Sequence, residues 1–180
     1  MHKKEKMRIY LKAKHWQLFI VLIGAMFMAQ ALMASSIINE GMPNVVSFVV
    51  PMMLLSIVYF GWFWAISSAC YKVLPKELAS SPRPMQIALI YAFAYIVLSG
   101  IFFFGKGAKP PGYVVVMHLL AMVSIFYSLG FTAKQLTKLE QNKNVTFFSY
   151  SGPFFLMWFF PIGVWFIQPK VNQLLSNNNA

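Results

Sequence analysis

The sequence predicts an all-α fold, a polytopic transmembrane helical bundle of four full spans plus a proline-broken fifth segment, spanning or re-entrant. Three observations predict it. Of 180 residues, 59% are hydrophobic, 17% aromatic and only 11% charged, with a mean hydropathy of +0.63. Ordinary soluble domains carry about 25% charged residues, and a chain this short leaves too much surface exposed to hide such an apolar excess from water. The aromatic content also excludes a disordered chain. Second, five apolar runs are each near or above the ~20 helical residues that cross a ~30 Å hydrocarbon core. Third, none of those runs has Lys, Arg, Asp or Glu in its interior.

The elements follow in order. Residues 1–15 form a basic arm, residues 16–168 a transmembrane helical domain, and residues 169–180 a polar C-terminal tail. The first apolar segment runs from about Trp16 to Ala34. Ala29-Gln30-Ala31 fits a signal-peptidase site, but the apolar stretch is longer than a typical signal core and is read as a span. The second, Val45 to Cys70, is overlong and carries Pro51 one to two turns in, so a tilt or kink is expected. The third is Met85 to Phe104 and the fourth Tyr113 to Phe131. Beyond the fourth, Ala133–Glu140 has good helix formers, with Lys134 and Lys138 on one face, and predicts a continued helix. Lipid offers backbone groups no partners, so helices are the expected solution. The runs lack the alternation of barrel strands.

The fifth segment, Phe147 to Ile167, is the least ordinary. Pro161 removes a helix hydrogen bond and Gly163 loosens the backbone beside it. A kinked span, the preferred reading, would put the C-terminus opposite the N-terminus. A re-entrant pair of half-helices would return it to the same side, with Lys170.

Charge sets the expected orientation. The net charge is +11, from 15 Lys+Arg against 4 acids. The arm holds Lys3, Lys4, Lys6, Arg8, Lys12 and Lys14; the Tyr71–Pro84 loop holds Lys72, Lys76 and Arg83; the Thr132–Thr146 loop holds Lys134, Lys138 and Lys143. The alternate loops hold only Lys106 and Lys109. The N-terminus is therefore expected in the cytoplasm, with the arm's six cations contacting anionic headgroups of the bilayer. Nucleic acid is not an expected partner. Asn144-Val145-Thr146 matches a glycosylation sequon, which would be silent on that side.

Residues able to carry chemistry are few. His118 is the main ionisable group inside a segment, which makes it a functional candidate together with Pro161 and Gly163. A proton relay or metal site needs partners, and the four acids Glu5, Glu40, Glu77 and Glu140 all lie in loops. Ser149 and Ser151 belong near the opposite end from His118. Cys70 is the only cysteine, so an intrachain disulfide or a cysteine metal cluster is excluded. No catalytic residue, cofactor or metal is assigned. Small residues at four-residue spacing, Ala25/Ala29, Ala31/Ser35, Gly61/Ala65, Ala88/Ala92 and Ser124/Ser128, favour close helix packing and admit an oligomer. Trp16, Trp62, Trp64, Trp158, Trp165 and Tyr113 fit an interfacial aromatic belt.

Trp158, Pro161-Ile162-Gly163, Trp165 and Gln168-Pro169-Lys170-Val171-Asn172 resemble the C-terminal stretch of a group of small multi-pass bacterial membrane proteins without an assigned function. Leu74-Pro75 and Ala133-Lys134-Gln135-Leu136 are similar to that group as well. The resemblance covers about a quarter of the chain and implies a bacterial inner membrane, with no catalytic residue carried over. The functional expectation is a non-catalytic interaction or accessory subunit with a membrane-protein partner or a second copy of itself. The alternative is a small transporter or oligomeric pore using the broken fifth segment and His118.

Overall fold

The computed structural model describes residues 10–42, 44–106 and 111–177, all of the regular structure among them helical. The helices whose bounds lie among the described residues are, in order, α1 (His15–Glu40), α2 (Val45–Val73), α3 (Arg83–Lys106), α4 (Gly112–Gln141), α5 (Phe147–Trp158) and α6 (Phe160–Asn177). The first four are long and apolar enough to cross a membrane, which makes this a multi-pass membrane protein. Each extends beyond the apolar run that predicts it. Helical geometry carries on into polar flanks where no lipid limits it, as α4 does through Glu140.

Local chemistry closes the first turn. Gly41 ends α1 with φ +77°, and its N–H donates to the Ile37 carbonyl. Asn44 caps α2 by accepting from the Ser47 N–H at 2.8 Å. The Ser36 hydroxyl, itself buried, receives the Asn44 N–H at 2.9 Å and donates to the Met42 carbonyl. α2 runs unbroken through Pro51.

Helix α2 is central. It packs against α1, α3, α4 and α6, and the α5–α6 pair bridges α4 back to α1. Trp62, Phe63 and Ile66 on α2 are fully buried. Small residues sit at the close approaches: Ala25, Ala29, Ala65, Ala92 and Ser128 are buried, whereas Ala31 and Ser35 are exposed. Among apolar helices in lipid such packing replaces the hydrophobic drive.

The fifth segment is not the kinked span preferred from sequence. It breaks at Phe159 (φ −87°, ψ 60°) into two helices. α5, with 12 residues, is about 18 Å long, short of a ~30 Å core. α6 then returns to the end where α5 began. Lys170 Nζ lies 2.9 Å from both carboxylate oxygens of Glu140, at the end of α4. The segment is re-entrant, and a spanning fifth helix would have carried Lys170 to the far end. α6 also continues past residue 168, where a polar tail is expected from sequence. Val171 and Leu175 are buried, and Pro169 sits inside the helix.

The return of α6 predicts that both termini lie on one side of the membrane. Reporter fusions at residue 1 and residue 180 should report the same compartment. Opposite compartments would refute the hairpin.

Candidate functional site

The re-entrant hairpin and the segment it holds form the most elaborate polar arrangement among the described residues. Its tip follows from Pro161. In a continuous helix the Met157 carbonyl would accept the N–H of residue 161, and proline has none. Tyr59 of α2 supplies the missing donor, its hydroxyl lying 2.7 Å from the Met157 carbonyl. The Phe159 carbonyl accepts from Ile162 and Gly163 at 3.0 and 2.9 Å, so the first turn of α6 starts at once. Gly163 lies against the end of α5. A Cβ there would fall on the Leu156 carbonyl.

The base of the hairpin is organised by Gln168, which is fully buried. Its Oε1 accepts the indole N–H of Trp62 at 2.8 Å. Its amide nitrogen donates toward the carbonyls of Tyr10 and Ala13 at 2.9 and 3.0 Å and lies 3.0 Å from Asn172 Oδ1. Asn172 in turn donates to the Ala13 carbonyl at 3.2 Å. Trp165 lies against His15 and Phe19 of α1, with ring centroids 4.6 and 5.5 Å apart. One turn of α6 thus ties the N-terminal segment to the central helix. Trp62 is no belt residue, since it is sealed inside by this bond; Trp16, Trp158, Trp165 and Tyr113 are exposed.

A second polar layer joins α2, α3 and α4. Ser67 and Thr132 share a 2.9 Å hydrogen bond, and Gln86 reaches Ser68 at 3.2 Å. Gln135 is buried with its Oε1 unpartnered. Lys134 is exposed but Lys138 is not. The residues after α2 fold over Lys138, and its ammonium donates to the Leu78 carbonyl at 2.9 Å.

Of the candidates named from sequence, Pro161 and Gly163 meet at the hairpin tip and His118 stands apart. His118 is exposed on α4 with its ring against Tyr95, centroids 5.6 Å apart. The hairpin tip meets α4 at Phe126, whose ring is 4.8 Å from that of Trp158. His118 lies two turns of α4, about 12 Å, beyond that level. Among the described residues no group of three His, Cys, Asp or Glu side chains is placed to hold a metal. Cys70 is buried. Lys12 and Lys14 are exposed; Lys3, Lys4, Lys6 and Arg8 lie outside the described residues. Sequence reasoning missed Tyr59 and Gln168 as a pair of clamps. Gln168 carried a signal, since it is a polar residue within an aromatic run; Tyr59 carried none.

Comparison with known proteins finds no matching family model, no matching curated protein and no matching solved structure.

Two substitutions test the clamps. Gln168→Leu leaves the Trp62 N–H and the Tyr10 carbonyl unpaired, at a cost of about 1–3 kcal/mol. It should lower the melting temperature in detergent and expose Lys12 and Lys14 to trypsin. Tyr59→Phe strips the Met157 carbonyl of its donor, at a similar cost of about 1–3 kcal/mol, without exposing the N-terminal lysines. Unchanged melting in both variants would show that the hairpin is held by packing alone.

Proposed function

We propose that this protein is a non-catalytic interaction or accessory subunit of a bacterial inner membrane, with its basic end in the cytoplasm. The observation that supports this reading is how its polar side chains are used. Gln168, Asn172, Trp62, Tyr59, Ser67, Thr132 and Lys138 are engaged in joining one segment to another. The groups suited to chemistry stand apart, with His118 on an outer face of α4. Lys12 and Lys14 before α1, the residues after α2 and the end of α4 lie at one end of the bundle, and the charge rule for cytoplasmic loops supports reading that end as cytoplasmic. There they suit anionic headgroups and an acidic face of a membrane partner. The resemblance of the Trp158–Asn172 stretch to small bacterial membrane proteins agrees with this placement.

A second reading is favoured by the hairpin itself. Broken helices that end inside a bundle line substrate paths in transporters. On that reading an oligomer would conduct along the hairpin tip, with Pro161 and His118 on the path.

The two readings separate experimentally. Purification in mild detergent should recover a stoichiometric membrane partner. Recovery of the chain alone, together with solute flux in reconstituted vesicles that falls on His118→Ala or Pro161→Ala substitution, would overturn the accessory role.

A further inference from the structure

A groove of about 400 Å³ lies between α2 and α3, with no residue of α5 or α6 in its lining. Gly61, Trp64 and Ala65 line it from α2, Ile90 and Phe93 from α3, and Tyr10 closes one side. The Tyr10 hydroxyl is engaged with the Ile57 carbonyl at 3.3 Å, which leaves the lining almost wholly apolar. Gly61 makes room for it, since a Cβ there would strike the Tyr10 ring. From Ser56 to Ala65 the groove follows roughly 14 Å of helix.

The two helices that wall the groove both lead to a cation. Seven residues bring a helix back to the same face, about 10 Å along its axis. Lys72 stands seven residues beyond Ala65 on α2, and Arg83 seven residues before Ile90 on α3. Both steps run toward the basic end of the bundle, and both side chains are exposed. Among the described residues the one ion pair is Lys170–Glu140, so no carboxylate there neutralises Lys72 or Arg83. Long cationic side chains keep their stems on apolar surface and place their charge at headgroup level.

We propose that this groove seats an acyl chain of an anionic phospholipid whose phosphate is held by Lys72 and Arg83. The apolar lining selects hydrocarbon, and the two cations toward its basic end, neither in an ion pair among the described residues, select a negative headgroup.

Vesicle reconstitution tests this with lipids carrying brominated acyl chains on either phosphatidylglycerol or phosphatidylcholine. Bromine quenches indole fluorescence on contact, and the signal of Trp64 is isolated by difference from Trp64→Phe protein. The anionic lipid should quench that signal with about fivefold preference over the zwitterionic one. Replacing Lys72 and Arg83 together by glutamine should bring the preference close to one, and each single replacement should give an intermediate value. Replacing Lys134 and Lys143, cations of the same end outside the groove, should leave it unchanged. Equal quenching by both lipids overturns the proposal, as does a preference that survives the Lys72/Arg83 pair. A preference lost equally in the Lys134/Lys143 variant also overturns it, because surface potential alone would then explain the effect.

Discussion

The amide of Gln168 is the point on which the rest of the arrangement depends. A hairpin that dips into a bundle and comes back has no neighbour on its own chain to fix where it stops. Here the stop is set by one side chain that satisfies an indole from the central helix and two carbonyls from the N-terminal segment. Without it the buried Trp62 indole N–H would lose its partner and the Tyr10 carbonyl its side-chain donor, which is costly in an apolar interior, while the Ala13 carbonyl would keep only Asn172. The specificity is geometric. An apolar residue of the same size could fill the volume but would leave Trp62 and the Tyr10 carbonyl unmatched, and a carboxylate could receive the indole N–H but donate to neither carbonyl.

The hairpin tip obeys the same constraint from the other direction. Backbone at membrane depth is tolerated off the helix only when protein re-satisfies it. Pro161 creates one orphan carbonyl, at Met157, and Tyr59 answers it. Gly163 then lets α6 leave against the end of α5 rather than continue along it. The break is therefore a sequence of three local choices, and the bend at Phe159 comes two residues before the proline that causes it.

The sequence made the four long helices legible because hydropathy and charge act over whole segments, and lipid permits few alternatives. The proline break was legible for the same local reason. What it could not reveal was the direction taken after the break, since that depends on partners distant in the chain. Lys170 meets Glu140 across 30 residues and Gln168 meets Ala13 across 155. Local composition also misplaced two side chains. Trp62 looks like an interfacial indole until Gln168 arrives to receive its N–H, and Lys138 looks like half of a solvated stripe until the loop after α2 closes over it. The Trp158–Asn172 stretch stood out as a label, and the structure gives its residues a mechanical sense. Gly163, Trp165, Gln168, Lys170 and Asn172 each touch whatever the returning helix must lean on.

The N-terminal segment connects the two halves of this picture. Its backbone at Tyr10 and Ala13 is held by Gln168, while the Tyr10 ring reaches the other way, over Gly61 into the groove between α2 and α3. Burial on that side pushes the Tyr10 phenol above its usual pKa, so it stays a neutral donor to the Ile57 carbonyl at any physiological pH. A single residue is thus held by its main chain to the hairpin and by its side chain to the groove.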